Sequence, residues 1–361
     1  MSTLPTRLSQ TLIELVGLPA VSGQEGQVRA YLERRLAALG LSAQVDEAGN
    51  LIATLPGEGQ PVLLNAHMDR VPPGLGHTPI LREGVLYSDG TTNLGADDAA
   101  GLALLLELVT RILEEKLPHP PLVLVFTVQE EVGLHGASAF DPAPWGARDG
   151  IVFDNAFEAG VVVARGATYI AFNVELSGRT GHPGKDLAQT VNALEIFRAA
   201  HYPHGSLARD QTRILIGRVS AGSARNAVPA SVLIEGELRS FEPPEVRQRY
   251  LQEIEQAFVE AARQFGGSAR VTFDPHCTSY SVDEDEPLLR LYGDVLARRG
   301  ESLRLRPTFI GSDASAFRPR VRVFTLSTGV VNEHSTEEYV PLAPLGVLVE
   351  DVLEVLRLYR V

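Results

Sequence analysis

The run Leu122-Val123-Leu124-Val125-Phe126-Thr127-Val128 restricts the fold more than any other stretch of the chain. It is apolar at every position but one and rich in β-branched residues. That is the pattern of a strand covered on both faces in a parallel sheet, whereas a half-exposed strand alternates apolar with polar. Such a strand requires helices above and below it. Residues 8–16 and 25–39 space their apolar positions as helices do, with Ser22-Gly23-Gln24-Glu25 as an N-terminal capping signal and Gly40 as a stop. Strands are expected at 51–55, 62–64, 150–153 and 321–326, and further helices at 102–109, 287–299 and 342–358. This alternation of strand and helix implies an α/β/α domain.

The pattern changes from about Ala167. Residues 169–176 alternate like a half-exposed strand, 187–200 read as a helix, 213–219 and 231–238 as strands, 245–265 as a long amphipathic helix and 269–273 as a strand. Strand-helix-strand-strand-helix-strand is the order of a ferredoxin-like α+β unit. The expected division is therefore residues 1–166 and 277–361 in the α/β/α domain, with 167–276 as an inserted domain.

Polar residues collect after the strands of the first domain, where open α/β sheets bind ligands. Strand 62–64 runs into Asn65-Ala66-His67-Met68-Asp69, and residues two apart share a strand face, so His67 and Asp69 can point together. Alone, His67 reads first as a core imidazole satisfied by a backbone carbonyl. The buried run opens into Gln129-Glu130-Glu131-Val132-Gly133. Two ionised carboxylates at such a mouth cost on the order of several kcal/mol unless cations or protons compensate. Strand 150–153 ends on Asp154, and the loop after strand 321–326 carries His334. Asp97-Asp98 sits on a Gly-bounded turn before an apolar run. There it serves either as a helix cap contributing about 1 kcal/mol or as a metal ligand.

Two metals about 3.5 to 4 Å apart need a bridging carboxylate with terminal nitrogen and oxygen ligands on each side. His67, Asp97, Glu131, Asp154 and His334 supply that set. Glu130 is left over as a general base.

Other chemistries are removed by composition and by missing motifs. A net charge of -13 argues against a sequence-independent grip on nucleic acid or an anionic membrane. The single cysteine, Cys277, permits neither an internal disulfide nor a cysteine-rich zinc site. There is no Gly-rich phosphate loop with Lys and no Gly-x-Ser-x-Gly elbow. No basic-then-apolar leader and no membrane-length apolar run are present, so a cytoplasmic protein is expected.

The stretches His67-Met68-Asp69, Gly95-Ala96-Asp97-Asp98, Gln129-Glu130-Glu131-Val132-Gly133, Ser177-Gly178-Arg179-Thr180-Gly181-His182-Pro183-Gly184, Asn226-Ala227-Val228-Pro229 and Glu333-His334-Ser335-Thr336 resemble those of the co-catalytic di-zinc exopeptidases, the family of peptidase T, carboxypeptidase G and the aminoacylases. The likeness runs through nearly the whole chain in the family's order and is strongest to the peptidase T branch. It implies that Asp97 bridges two metals, with His67 and Asp154 on one and Glu131 and His334 on the other. It also implies that Asp69 orients His67. Glu130 is then the residue that takes a proton from the attacking water and returns it to the leaving amine. The Asp97–Asp98 peptide is expected to be cis. The insert corresponds to a lid and dimerisation domain, His182 to an oxyanion donor, from its own subunit or from the other subunit of a homodimer, and Asn226 and Arg239 to residues that hold a substrate carboxylate.

The implied cofactors are two divalent ions, zinc first, with cobalt or manganese accepted by the same ligand types. The implied substrate is a short peptide. Ala99 stands where family members usually carry Lys, which is not a ligand, and an Asp at position 154 goes with aminopeptidase and dipeptidase members. The rival readings are a carboxypeptidase or N-acyl amino acid deacylase on the same scaffold, and a peptide-binding homologue without catalysis. Several residues are set aside. Asp313 in Gly311-Ser312-Asp313 reads as a turn cap, Arg239 also reads as a cross-strand ion pair, and His201 and His204 read as a helix end. The His276-Cys277 pair lacks a separate base, so Cys277 is expected to be inert.

Overall fold

A computed structural model describes residues 6–154, 157–185 and 187–359. The chain forms two compact units, the first made of residues 1–166 and 280–361, the second of Ala167–Ser279.

The first unit is built on a nine-stranded mixed sheet. Its centre is four parallel strands in the order Leu122–Thr127, Val62–His67, Asp149–Asp154 and Arg322–Ser327. Along each strand, successive side chains enter different cores, as the two-residue period of a strand requires. Leu122, Leu124 and Phe126 pack into a large cluster with the helices Arg7–Val16, Gly26–Ala38, Ala96–Glu115, Pro287–Arg298 and Leu342–Leu358. Val123 and Val125 enter a smaller one beneath the short helices His135–Ala139 and Asp313–Phe317. The continuous apolar runs thus arise because both faces are covered. Antiparallel strands close the edges: Ala43–Val45 and Leu51–Leu55 on one side, Val162–Gly166 and Tyr280–Ser281 on the other, while Leu305–Thr308 pairs parallel with Val162–Gly166. A separate three-stranded sheet joins Ile80–Arg82, Val85–Tyr87 and Tyr339–Pro341.

The second unit is an antiparallel sheet with helices Ala193–Ala199 and Pro244–Phe265 packed on one face through Phe172, Val174, Ile196, Ile254 and Phe258. Its sheet has five strands, one more than expected, because Gly205–Leu207 adds an edge strand on Thr212–Ala221. The helix expected over 187–200 is also broken. Arg179 and Val191 exchange backbone hydrogen bonds, and the Asn192 side chain caps the Leu194 N–H at 3.0 Å, so the helix starts only at Ala193. It ends at Ala199, which leaves His201 and His204 outside it.

Leu104 lies on the fully buried side of Ala96–Glu115. Leu104→Ala is expected to cost the first unit about 2–5 kcal/mol, from lost burial and the cavity left behind. A lower urea midpoint at unchanged slope is the readout.

Candidate active site

The four parallel strands deliver their C-terminal ends to one edge of the sheet. His67 is the last residue of its strand and faces Thr127 in register, while Asp154 ends the next strand and pairs with Ser327. Glu130 and Glu131 follow the Thr127 end and His334 follows the Ser327 end. Asp97 arrives at the entrance of Ala96–Glu115 with non-helical φ/ψ of -86° and 104°.

The adjacent acids Asp97 and Asp98 point to different partners. Asp98 caps: Oδ1 accepts from the Gly101 N–H at 3.0 Å and Oδ2 from the His67 N–H at 3.1 Å. A Cβ at Gly101 would lie 2.5 Å from that carboxylate, so only glycine admits the approach. Asp97 instead turns its carboxylate between two imidazoles, Oδ1 at 3.4 Å from His67 Nε2 and Oδ2 at 3.5 Å from His334 Nε2. The intervening Asp97–Asp98 peptide is cis. His67 Nε2 also lies 3.8 Å from Asp154 Oδ1, and His334 Nε2 lies 2.9 Å from Glu131 Oε1. Two triads result, His67-Asp97-Asp154 and Asp97-Glu131-His334, each with ligand atoms within 4.8 Å of one another, and Asp97 belongs to both. Glu130 lies within the same limit of His67 and Glu131.

The electrostatics explain why such a cluster calls for cations. Burial pushes Asp98, Glu130 and Glu131 above the usual carboxylate range, and neighbouring acids push the two glutamates further in the same direction. Burial alone would lower His67, yet the Asp154, Asp69 and Asp97 carboxylates beside it carry it well above the ordinary imidazole value. Hydrogen bonding to Asp97 and Glu131 raises His334 to about 10. Burial works to raise Asp97 as well, but His334 and His67 hold it well below the usual range. Both histidine shifts mark a place where positive charge is favoured. Asp97 Oδ1 is buried with no hydrogen-bond partner among the described residues. Nitrogen and carboxylate donors around one shared acid fit a pair of divalent ions.

Supporting contacts refine the sequence reading. His67 Nδ1 bonds to the Asp69 backbone carbonyl at 2.9 Å, with the Asp69 carboxylate further away at 3.5 Å. That carboxylate accepts from the Glu130 N–H at 2.9 Å, the Glu131 N–H at 3.2 Å and Ser22 Oγ at 2.6 Å. Asp69 thus holds the loop of both glutamates as well as standing beside His67. Ser22 and Glu25, expected to cap a helix, serve this loop instead: Glu25 makes no capping bond and accepts from Gly23 and Gln129 backbone N–H groups. Asp313, expected to cap a turn, is buried and accepts from Thr127 Oγ1. Burial raises it to about 6. Its position as the first residue of the short helix Asp313–Phe317 was the available signal.

The remaining candidates lie in the second unit. His182 is exposed on a turn, with Nδ1 accepting from the Gly184 N–H at 3.1 Å. The Val228 N–H to Gly181 carbonyl bond of 3.0 Å joins its loop to that of Asn226. Arg239 lies at the opposite end of strand Ser231–Ser240, on the order of 26 Å along the strand at 3.3 Å per residue. It forks onto Glu237 of its own strand at 3.0 and 3.1 Å and covers the Tyr169 ring at 4.3 Å. Tyr169 in turn stacks on His276, and Cys277 Sγ donates to the Ala167 carbonyl.

The sequence model of Peptidase family M20/M25/M40 matches residues 63–358. The chain belongs to this family. A tripeptidase from Staphylococcus aureus subsp. aureus Mu50 superposes with a TM-score of 0.92 at 31% identity over 97% of each chain. Aminopeptidase PepT from Bacillus cereus ATCC 10987 superposes at 0.88, with 29% identity over 97% of each chain. The YqjE protein of Bacillus subtilis strain 168 is 30% identical over 97% of this chain and 98% of its own. This M20-family chain therefore has the family's mixed α/β fold with a separate α+β unit, and no helix among the described residues is long and apolar enough to cross a membrane.

The shared position of Asp97 makes a direct demand. Adding zinc, cobalt or manganese to chelator-treated protein is expected to raise its melting temperature, by about 2.7 kcal/mol of stabilisation at a hundredfold excess over Kd. Asp97→Asn should lose most of that gain, as read by differential scanning fluorimetry.

Proposed function

We propose that this family member is a metal-dependent aminopeptidase of short peptides, tripeptides among them, that works with two divalent ions, zinc in the first instance. The observation that carries the reading is the Asp97 carboxylate with one oxygen toward His67 and the other toward His334. His67 and Asp154 would hold one ion, Glu131 and His334 the other, and Asp97 both. When bound, such ions polarise the scissile carbonyl and make water a nucleophile at neutral pH.

Glu130 is the proton carrier. Its burial raises its proton affinity and its backbone is fixed by Asp69, so the ionised carboxylate takes the proton of the attacking water and, as the acid, delivers it to the departing amine without leaving its place. Asp98 and Asp69 hold the backbone around the reacting centre and do not react. His182 and Asn226 enter the proposal as substrate contacts. With Nδ1 accepting from Gly184, the neutral His182 ring carries its proton on Nε2, the form that donates to a developing oxyanion. Arg239, already forked onto Glu237 and far along the strand from Asn226, is left out of that subsite. The tripeptidase and aminopeptidase likenesses and Asp at position 154 favour cleavage from the amino end. A cytoplasmic setting agrees with the single cysteine. Homodimerisation through the second unit rests on the family resemblance.

Hydrolysis of a free tripeptide against its N-acetylated form tests the substrate end. The free peptide alone should be cleaved, and preference for the acetylated form would move the reading to a deacylase. Glu130→Gln should lower kcat by about a hundredfold or more with metal content unchanged. Undiminished turnover would remove Glu130 from the mechanism.

A further inference from the structure

Glu338 lies four residues beyond His334 in a chain position that no motif singles out, and it is 1% exposed. Its carboxylate reaches across the fold to three consecutive backbone N–H groups at the turn that presents Asp97. Oε2 accepts from Gly95 at 3.0 Å, and Oε1 accepts from Ala96 at 2.7 Å and from Asp97 itself at 3.1 Å. Gly95 has φ of +71°, a conformation that lets successive N–H groups converge on one anion.

The other end of Glu338 is equally tied. Val331 and Tyr339 exchange backbone hydrogen bonds of 2.8 and 3.0 Å, closing residues 332–338 into a loop pinched at its base. Within this loop the Glu338 N–H donates to the Ser335 carbonyl, and the Glu338 carbonyl accepts from the Ser88 N–H at 2.9 Å. His334 rides on the loop with φ of +62°, is itself exposed, and reaches Asp97 and Glu131 only through Nε2. His67 and Asp154, by contrast, are held as the last residues of central strands.

We propose that Glu338 is the positioning residue of one metal position, Asp97-Glu131-His334. It clamps the His334 loop to the Asp97 turn, so that a donor on an exposed loop meets a donor at a helix entrance. The other position, His67-Asp97-Asp154, draws two of its three donors from the sheet and shares only Asp97 with the clamp. This inference rests on the two-metal reading above.

The test is titration of chelator-treated protein with cobalt(II), followed by visible absorption, for wild type, Glu338→Gln, Glu338→Asp and the exposed-neighbour control Glu337→Gln. Gln keeps the shape but turns an NH2 toward backbone N–H groups, and Asp withdraws the oxygens by one methylene. Wild type and Glu337→Gln should take up two equivalents. The two Glu338 variants, folded by circular dichroism, should keep one equivalent at wild-type affinity and bind the second at least tenfold more weakly. Their kcat should recover in excess metal with KM for a tripeptide unchanged. Two equivalents at wild-type affinity in both variants would overturn the proposal. Equal weakening of both equivalents would also overturn it, because that is the mark of general destabilisation. If Glu338→Gln fails to fold, Glu338→Asp decides alone. Wild type that does not bind two equivalents would instead defeat the two-metal reading itself.

Discussion

Like charge held close in a dry place is the constraint on which the rest of this structure depends. Asp97, Glu130, Glu131 and Asp154 converge on one sheet edge with Asp98 and Asp313 close behind, and burial raises Asp98, Glu130, Glu131 and Asp313. Two histidines are too few to neutralise them all. Backbone N–H groups help locally, at Asp69, Asp98 and Glu338, but they only orient the acids. Divalent cations would resolve the imbalance with the fewest charges, and the same cations would supply the chemistry of peptide hydrolysis.

The fold supports this concentration by dividing labour between rigid and linked donors. His67 and Asp154 are extensions of strands whose side chains fill two cores, so their positions carry the stiffness of the sheet. Asp97, Glu130, Glu131 and His334 stand on turns, and each turn is bonded to a distant one. Asp69 joins the first unit's second central strand to the glutamate loop, and Glu338 joins the His334 loop to the Asp97 turn. A displaced donor would weaken a bound ion, so these links matter to chemistry as well as to folding.

Much of this was legible in the chain. The apolar run 122–126 identified a strand covered on both sides, and the acids and histidines after such strands marked the site edge. Short edge strands such as Ala43–Val45 and Ile80–Arg82 were not legible, because they are exposed at all three positions and show no alternation. The helix expected over 187–200 failed because a side-chain cap at Asn192 outweighed local periodicity. Glu338 and Asp313 escaped for a different reason. Their partners lie 241 to 243 and 186 residues away, and a carboxylate that bonds backbone or a threonine leaves no pattern of ligand spacing. The Asp97-Asp98 pair, ambiguous as sequence, separates in the fold, with Asp98 capping the helix and Asp97 facing the two imidazoles.

The most direct test of the shared-carboxylate account is electron paramagnetic resonance of the chelator-treated protein reloaded with two equivalents of manganese(II). The account predicts a spin-coupled spectrum from two neighbouring ions, replaced in Asp97→Asn by that of isolated ions. Two uncoupled ions in the wild-type protein, or an unchanged coupled spectrum in Asp97→Asn, would contradict it.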